Sequence, residues 1–377
     1  MKARRIWAVA RKEFIHVRRD ARSLGMAIAI PMLLLVLFGY ALTLDVDHVP
    51  LLVWDQNRSP ASRELISRFA GSRYFAVGGL VDGYAALERA MDEREVMGCL
   101  VIPSDFSGKV GSGRPATVQL LLDGTDANTA AIALGYAEMI VQSFSRDTTV
   151  AAARRAGARV PAAPLDLRPR VWFNADLESR NYIIPGLIAV IMMIIAALLT
   201  SLTVAREWER GTMEQLIATP VRGSELIVGK LMPYFALGMA DVLVTVLLGE
   251  FLFHVPLRGS PALLVGMAGV FLAGGLALGL LISVVARGQL LATQMAMVGT
   301  FLPAFLLSGF MFSIANMPAP IQLFTYLVPA RYFVALLKGI YLKGVGLEIL
   351  AGEALLLAAF ALVVLLVANA KFRKVLH

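Results

Sequence analysis

The residues with the most chemical capacity lie together in one stretch, Ala205 to Lys230, which reads AREWERGTMEQLIATPVRGSELIVGK. Glu207, Glu209 and Arg210 close an apolar run. Gly211 breaks the helix, Thr212 caps a new one with Gln215 three residues on, and Pro220 stops it. The spacing predicts a two-turn helix presenting Met213, Leu216 and Ile217 beside Glu214, a mixed apolar and acidic knob that a soluble partner's groove can grip. A plain charged loop that only satisfies membrane topology is the competing reading, and spacing alone leaves both open. The stretch does not bind a nucleotide as a P-loop: from Gly223 to Lys230 there is one residue too many between the glycines, and Leu231 stands where Ser or Thr must hold magnesium. No nucleophile elbow or other catalytic pattern is present, so no catalytic residue is assigned. Cys99 is the lone cysteine and His16, His48, His254 and His377 are scattered, which excludes an intrachain disulfide and gives no metal-ligand spacing.

Single residues in apolar surroundings come next. Asp241 falls near the middle of a long apolar run, where a carboxylate costs about 2.5 to 3.5 kcal/mol on an insertion scale. It either lines a substrate path or interface, or is a protonated or locally paired structural group; both readings stand. Arg331, between Pro329 and Tyr332, holds an anionic group, closes an outer gate or snorkels to lipid headgroups, the last being the commoner use of such an arginine. Gly275 and Gly279, spaced by three residues, allow close helix approach and read as packing positions.

These residues must be carried by membrane elements. Of 377 residues, 58% are hydrophobic and only 16% charged, and the mean hydropathy is +0.71, which excludes a soluble cytosolic enzyme. Six stretches have spanning length: Leu24–Leu44, Tyr182–Ala205, Leu231–Phe253, Pro261–Ala286, Leu290–Met311 and Leu347–Ala370. A further apolar segment, about 315–343, carries Pro329, Arg331 and Lys338 and reads as an external re-entrant hairpin. Lys and Arg at the span ends fall on one side (Arg4, Arg11, Arg18, Arg206, Arg210, Arg222, Lys230, Arg287 and Lys371 among them), so both termini are expected to be cytoplasmic. The net charge of +8 is thus a topology signal, and no nucleic-acid partner is expected.

The chain divides accordingly. Residues 1–23 form a basic amphipathic helix, with Trp7 and Phe14 on one face and arginines beside them, expected on the cytoplasmic membrane surface. Residues 24–44 are the first span. Residues 45–180 have fifteen Lys and Arg against seventeen Asp and Glu and alternate short β-rich runs (Val49–Trp54, Tyr74–Val77, Val96–Ile102, Thr117–Leu122, Val171–Phe173) with helical ones, an external, periplasmic α/β domain. An Ala-Pro-rich linker, 156–169, leads back to the membrane. Residues 181–370 hold spans two to six with a cytoplasmic coupling region at 206–230, and 371–377 form a cytoplasmic tail. The fold class expected is a mainly α membrane protein with six transmembrane helices, a surface helix and an inserted α/β domain.

Glu207-x-Glu209-Arg210-Gly211-Thr212-Met213-Glu214-Gln215-Leu216 followed by Thr219-Pro220-Val221 is similar to the cytoplasmic coupling region of type-2 (ABC-2) permeases of ABC transporters, in particular bacterial multidrug-type export permeases with a large external domain. Leu307-Ser308-Gly309-Phe310, Met317-Pro318 and Tyr326-Leu-Val-Pro-Ala-Arg-Tyr-Phe333 resemble the family's last external region. The resemblance implies a permease of the bacterial inner membrane with no cofactor of its own. It implies pairing with a second permease chain, as a homodimer or heterodimer, and docking of two copies of a separate ATPase that binds ATP and Mg. It further implies export of drugs or other amphiphilic molecules, and the external domain's size suggests contact with a periplasmic adaptor. Two other readings stay open: a membrane-anchored sensor or scaffold with an external ligand-binding domain, and an ion-coupled secondary transporter.

Overall fold

The computed structural model describes residues 3–19, 21–41, 46–155, 172–174, 178–213, 215, 219 and 221–372. The linker 156–169, residues 373–377 of the tail, and Glu214, Leu216 and Pro220 of the coupling region lie outside the described residues. Helices α1 (Ala3–Arg19) and α2 (Ala21–Ala41) come first. Then β1 (Val49–Asp55), α3 (Pro60–Ala70), β2 (Phe75–Leu80), α4 (Tyr84–Asp92), β3 (Gly98–Ile102), α5 (Phe106–Gly111), β4 (Gln119–Leu122) and α6 (Ala127–Arg155) follow. The rest is helical: α7 (Ser179–Glu209), α8 (Gly223–Phe251), α9 (Pro261–Ala286), α10 (Gln289–Ala296), a π-helical turn over Met297–Phe301, α11 (Leu302–Leu307), α12 (Ala319–Thr325), α13 (Pro329–Lys338) and α14 (Leu347–Lys371).

The chain falls into two compact units, Leu44–Pro169 and the remainder. The smaller unit is a four-stranded sheet in the order β2-β1-β3-β4, parallel except for the β3–β4 pair. Its strands are short apolar runs bounded by turns, and Leu51, Val53, Leu100 and Ile102 form a core with Phe69, Phe106 and Phe144 from the helices. Two details differ from the sequence reading. Trp172 and Phe173 form no strand, because Phe173 adopts a left-handed conformation (φ 72°) that a pleated ladder cannot accept. They also belong to the helical unit rather than to the α/β unit, whose compact boundary falls at Pro169.

In the helical unit α7 is the axis. From Ile183 to Ala197 nearly every side chain is buried, since a helix apolar all round gains most by being surrounded. It packs against α2, α8, α9, α10 and α13. Five described helices, α7, α8, α9, the α10–α11 pair and α14, are long and apolar enough to cross a membrane. In α2, Ile28–Ala41 forms a shorter apolar stretch. The segment expected as a re-entrant hairpin consists of two helices meeting at 83°. Pro329 enforces the bend by pushing Val328 into an extended conformation (φ −93°, ψ 109°).

Among the described residues, α7 and α9 form the most extensive helix pair. Gly275 and Gly279 of α9 lie against α7, where a Cβ added at Gly275 would stand 3.0 Å from the Ala196 Cβ and one at Gly279 2.5 Å from the Ala197 carbonyl oxygen. Polar side chains stitch the same seam: the Thr200 hydroxyl donates to the Leu276 carbonyl at 2.9 Å, and the Ser283 hydroxyl accepts from the Val204 and Ala205 amides at 3.0 and 2.9 Å.

Candidate functional site

At the C-terminal end of α7 three helices converge on a charged cluster. Gly229 of α8 has no side chain, and α1 crosses there; a Cβ would meet the Val9 Cβ at 2.7 Å and the Ile6 carbonyl at 3.0 Å. That close approach puts Glu13 of α1 (5% exposed), Glu207 of α7 (8%) and Lys230 of α8 (2%) in contact. The Lys230 ammonium lies 3.0 Å from Glu13 Oε1 and 2.8 Å from Glu207 Oε1. Lys12, half-exposed, reaches Glu207 Oε1 at 3.0 Å and Glu13 Oε1 at 3.4 Å. Two ammonium groups thus face two carboxylates, a neutral set whose burial is tolerable only as a whole. Further along the same helix pair, Arg5 stands 3.8 Å from Glu225.

Burial by itself would push the Glu13 carboxyl up, but the Lys230 and Lys12 ammonium groups outweigh it and hold it below the ordinary 4.5. Burial likewise acts downward on Lys12, and the Glu207 and Glu13 carboxylates reverse it, raising the amine above the ordinary 10.5. The signs define a window. A lowered carboxyl contributes stability above its ordinary value and loses it as pH falls through the lowered one; a raised amine contributes fully below its ordinary value and loses it as pH rises through the raised one. The cluster therefore holds α1 across the neutral range. Thermal unfolding of the purified chain from about pH 7 to about pH 3 should show a midpoint that is flat at first and falls below the ordinary carboxyl value. In Glu13→Gln that acid-side fall should be smaller; an identical profile in the variant would count against the cluster's contribution.

The residues of the 206–230 region separate in space. Gly211, in the left-handed conformation (φ 70°), terminates α7. Thr212 is itself helical and not a cap, its hydroxyl donating back to the Glu207 carbonyl at 3.4 Å. Met213 does not face outward: it is 2% exposed and packs with Val204, Leu226, Ile227, Leu280 and Phe372, because burying its side chain gains more than presenting it to water. Glu209 turns to the N-terminus of α10, accepting from the Gln289 amide at 2.6 Å and from the Gln289 side-chain nitrogen. Arg210, Gly211, Thr212, Gln215 and Thr219 remain exposed. Beside them opens a polar cleft of about 410 Å³ whose walls include Lys12, Glu13, Glu207, Arg206 and Arg210. In it, Glu207 Oε2 is buried and has no hydrogen-bond partner among the described residues.

Sequence reasoning places Lys12 and Lys230 only among the basic residues that mark topology, and passes over Glu13. A signal was present: Glu13 lies on the Ile6, Val9, Ala10, Val17 face of α1, where an acid has no reason to be unless a cation meets it. The face that packs on α8 is this one, while Trp7 and Phe14 stay exposed on the neighbouring face.

Asp241 and Arg331 lie apart from this cluster and from each other. Asp241 is 5% exposed, inside the bundle beside Pro31, Ile191, Ile195 and Leu272, with Oδ2 unpartnered among the described residues at a void of about 10 Å³, room for one water at most. Arg331, on α13, stacks 3.8 Å over the Tyr326 ring and donates to the Thr325 hydroxyl.

Comparison with known proteins adds what geometry alone does not supply. The family described as "ABC-2 family transporter protein" matches residues 22–369. The chain is 39% identical over 342 residues to the "Probable multidrug ABC transporter permease YbhS" of Escherichia coli K12, covering 90% of this chain and 89% of that one. It is 30% identical to YbhR of the same strain, with the same description, over 92% of each chain. It is 24% identical over 359 residues to the "Inner membrane transport permease YhhJ" of that strain, covering 91% and 92%.

Proposed function

Because this chain belongs to the ABC-2 family of transporter permeases, we propose that it is the membrane subunit of an ATP-driven exporter of amphiphilic small molecules. The observation that carries the mechanism is the charged cluster at the base of the 206–222 segment. Lys230 and Glu207 tie α7, α8 and α1 into one block, and the exposed groups Arg210, Thr212 and Gln215 stand on it beside the polar cleft. A partner pressing on those groups moves three helices together, since an ion-paired block transmits force as a rigid body. The partner is a separate ATPase, two copies per assembly, which carries the ATP and Mg. Two permease chains pair to form the path between them. Glu214, Leu216 and Pro220 complete the docking segment in this reading, whereas Glu207, Glu209 and Met213 support it from within their own chain.

The setting follows from the same reading. The chain resides in the bacterial inner membrane with both termini cytoplasmic, α2 completing the first of six spans, and the α/β unit is external and available to a periplasmic adaptor. Asp241, closed inside one chain, acts in helix packing in this account, while Arg331 lies by the start of α7, away from the charged cluster at its C-terminal end.

The test is co-purification of the tagged full chain from native membranes with an ATPase assay. A P-loop subunit should accompany the wild type. Arg210→Glu, which reverses an exposed charge, should lower ATPase recovery about tenfold with the melting temperature unchanged. Glu214→Lys should act in the same direction. Arrival of the chain alone, or full recovery in both variants, would remove the docking role. Glu209→Lys should instead lower the melting temperature, because it breaks the cap of α10.

A further inference from the structure

About 38 Å from the charged cluster along α7, counted from Glu207 back to Tyr182 at 1.5 Å per residue, a second cleft opens. Its volume is about 670 Å³, and its walls come from the start of α7, from α13 and from the N-terminal turns of α14. Two cations line it. Arg331 and Lys338 are seven residues apart on α13 and so share one face. Each is held by a ring and a neutral oxygen: Arg331 over Tyr326 at 3.8 Å with the Thr325 hydroxyl, Lys338 over Tyr182 at 3.6 Å with the Gly309 carbonyl at 2.9 Å. Neither makes an ion pair among the described residues. The third charged group, Glu353 of α14, lines the cleft and pairs with neither cation. Val334 and Leu356 supply apolar wall.

This is an unusual balance for a membrane protein. Rings and carbonyls orient a cation but do not neutralise it, and a partly buried positive charge without a counter-charge costs free energy. Two cations against one carboxylate leave a single positive charge. The Lys338 ammonium has spent one of its three donors on Gly309, and a guanidinium offers five. Both retain donors for an acid, and charge-assisted bonds to one would be short and strong.

We propose that this cleft binds the acidic head group of an amphiphile, a carboxylate or phosphate monoanion between Arg331 and Lys338, with its apolar body against Val334 and Leu356. The inference rests on the exporter reading and names the chemical class of what the permease handles at this end. A singly charged head leaves the site neutral. The occupant is either an export cargo or an anionic phospholipid of the bilayer, since both offer the same chemistry.

The experiment uses the full chain in discs of phosphatidylcholine, exposed to a photoreactive dodecanoate and, separately, to the matching dodecyltrimethylammonium probe, with adducts mapped by mass spectrometry. The carboxylate probe should label α13 and α14 in preference to the ammonium probe. Lys338→Gln should lower that labelling about tenfold, as expected for the loss of one charge-assisted bond. Arg331→Gln should act likewise, Lys338→Arg should retain labelling, and Glu353→Gln should raise it. Displacement of the probe by added phosphatidylglycerol identifies a resident lipid, and persistence identifies cargo. Equal labelling by both probes, or unchanged labelling in Lys338→Gln and Arg331→Gln, overturns the site. ATPase recovery from the same membranes is read separately. A chain that recruits an ATPase without anion preference loses only this site, whereas one that prefers the anion but arrives alone loses only the exporter reading.

Discussion

Lys230→Met should be among the most damaging single substitutions in the chain. The amine is 2% exposed and bridges Glu13 and Glu207 at 3.0 and 2.8 Å. Removing it leaves two buried carboxylates sharing only Lys12, and breaking a buried ionic set from one side costs about 3–5 kcal/mol, most of it the uncompensated charge. The expected result is loss of α1 from its seat on α8, read as a lowered melting temperature of the purified chain and as new protease cuts between Ala3 and Arg19. The double variant Glu13→Gln with Lys230→Met should recover part of the loss, because it again balances one ammonium against one carboxylate. A melting temperature equal to wild type in Lys230→Met would show that the cluster contributes nothing. ATPase recovery should fall with the melting temperature here, unlike in Arg210→Glu, which separates the support of the docking segment from its contact surface.

Gly279→Val should match it in size through a different cause. An added Cβ would meet the Thr200 hydroxyl and stand 2.5 and 2.9 Å from the Ala197 carbonyl oxygen and Cα. Two of these atoms are backbone of the central helix, which cannot give way as a flexible side chain does. Overpacking of this kind costs about 1–3 kcal/mol for small insertions and more when helices must part. Separation of α7 and α9 would also break the Thr200–Leu276 bond and the Ser283 bonds to Val204 and Ala205. The substitution should abolish recovery of folded chain, measured by size-exclusion profile after detergent extraction. Gly275→Ala should be milder, since its nearest neighbour is the Ala196 Cβ at 3.0 Å, and Gly266→Ala, with nothing within 4 Å, should be silent. Equal effects at Gly279 and Gly266 would refute the close approach.

The contrast between these two sites shows how unevenly structure was written into the sequence. The Gly-x3-Gly spacing on α9 marked a close face before any partner helix was known, because absence of a side chain is a local property. The breaks at Gly211 and Pro329 were equally local. The direction of the side chains around Gly211 was not: Met213 was expected on an exposed knob, yet it is buried in its own chain, and Glu209, itself exposed, reaches the N-terminus of α10. For Trp172 and Phe173, β-favouring residue types were overruled by the left-handed backbone at Phe173.

The sequence by itself determined that this is a membrane protein of the ABC-2 family, with its long apolar helices and its lack of a nucleotide loop, because apolar length, motif spacing and motif absence are all read along the chain. Only the tertiary structure decided which charges meet. Lys230 finds Glu13 across 217 residues and Lys12 finds Glu207 across 195, and no spacing rule reaches that far. Arg331 and Lys338 gained meaning in the same way, when Tyr182 and Glu353 closed a cleft around them. Long-range ion pairing depends on where whole helices pack, and that is set by the summed burial of apolar faces and the few glycines that let them touch.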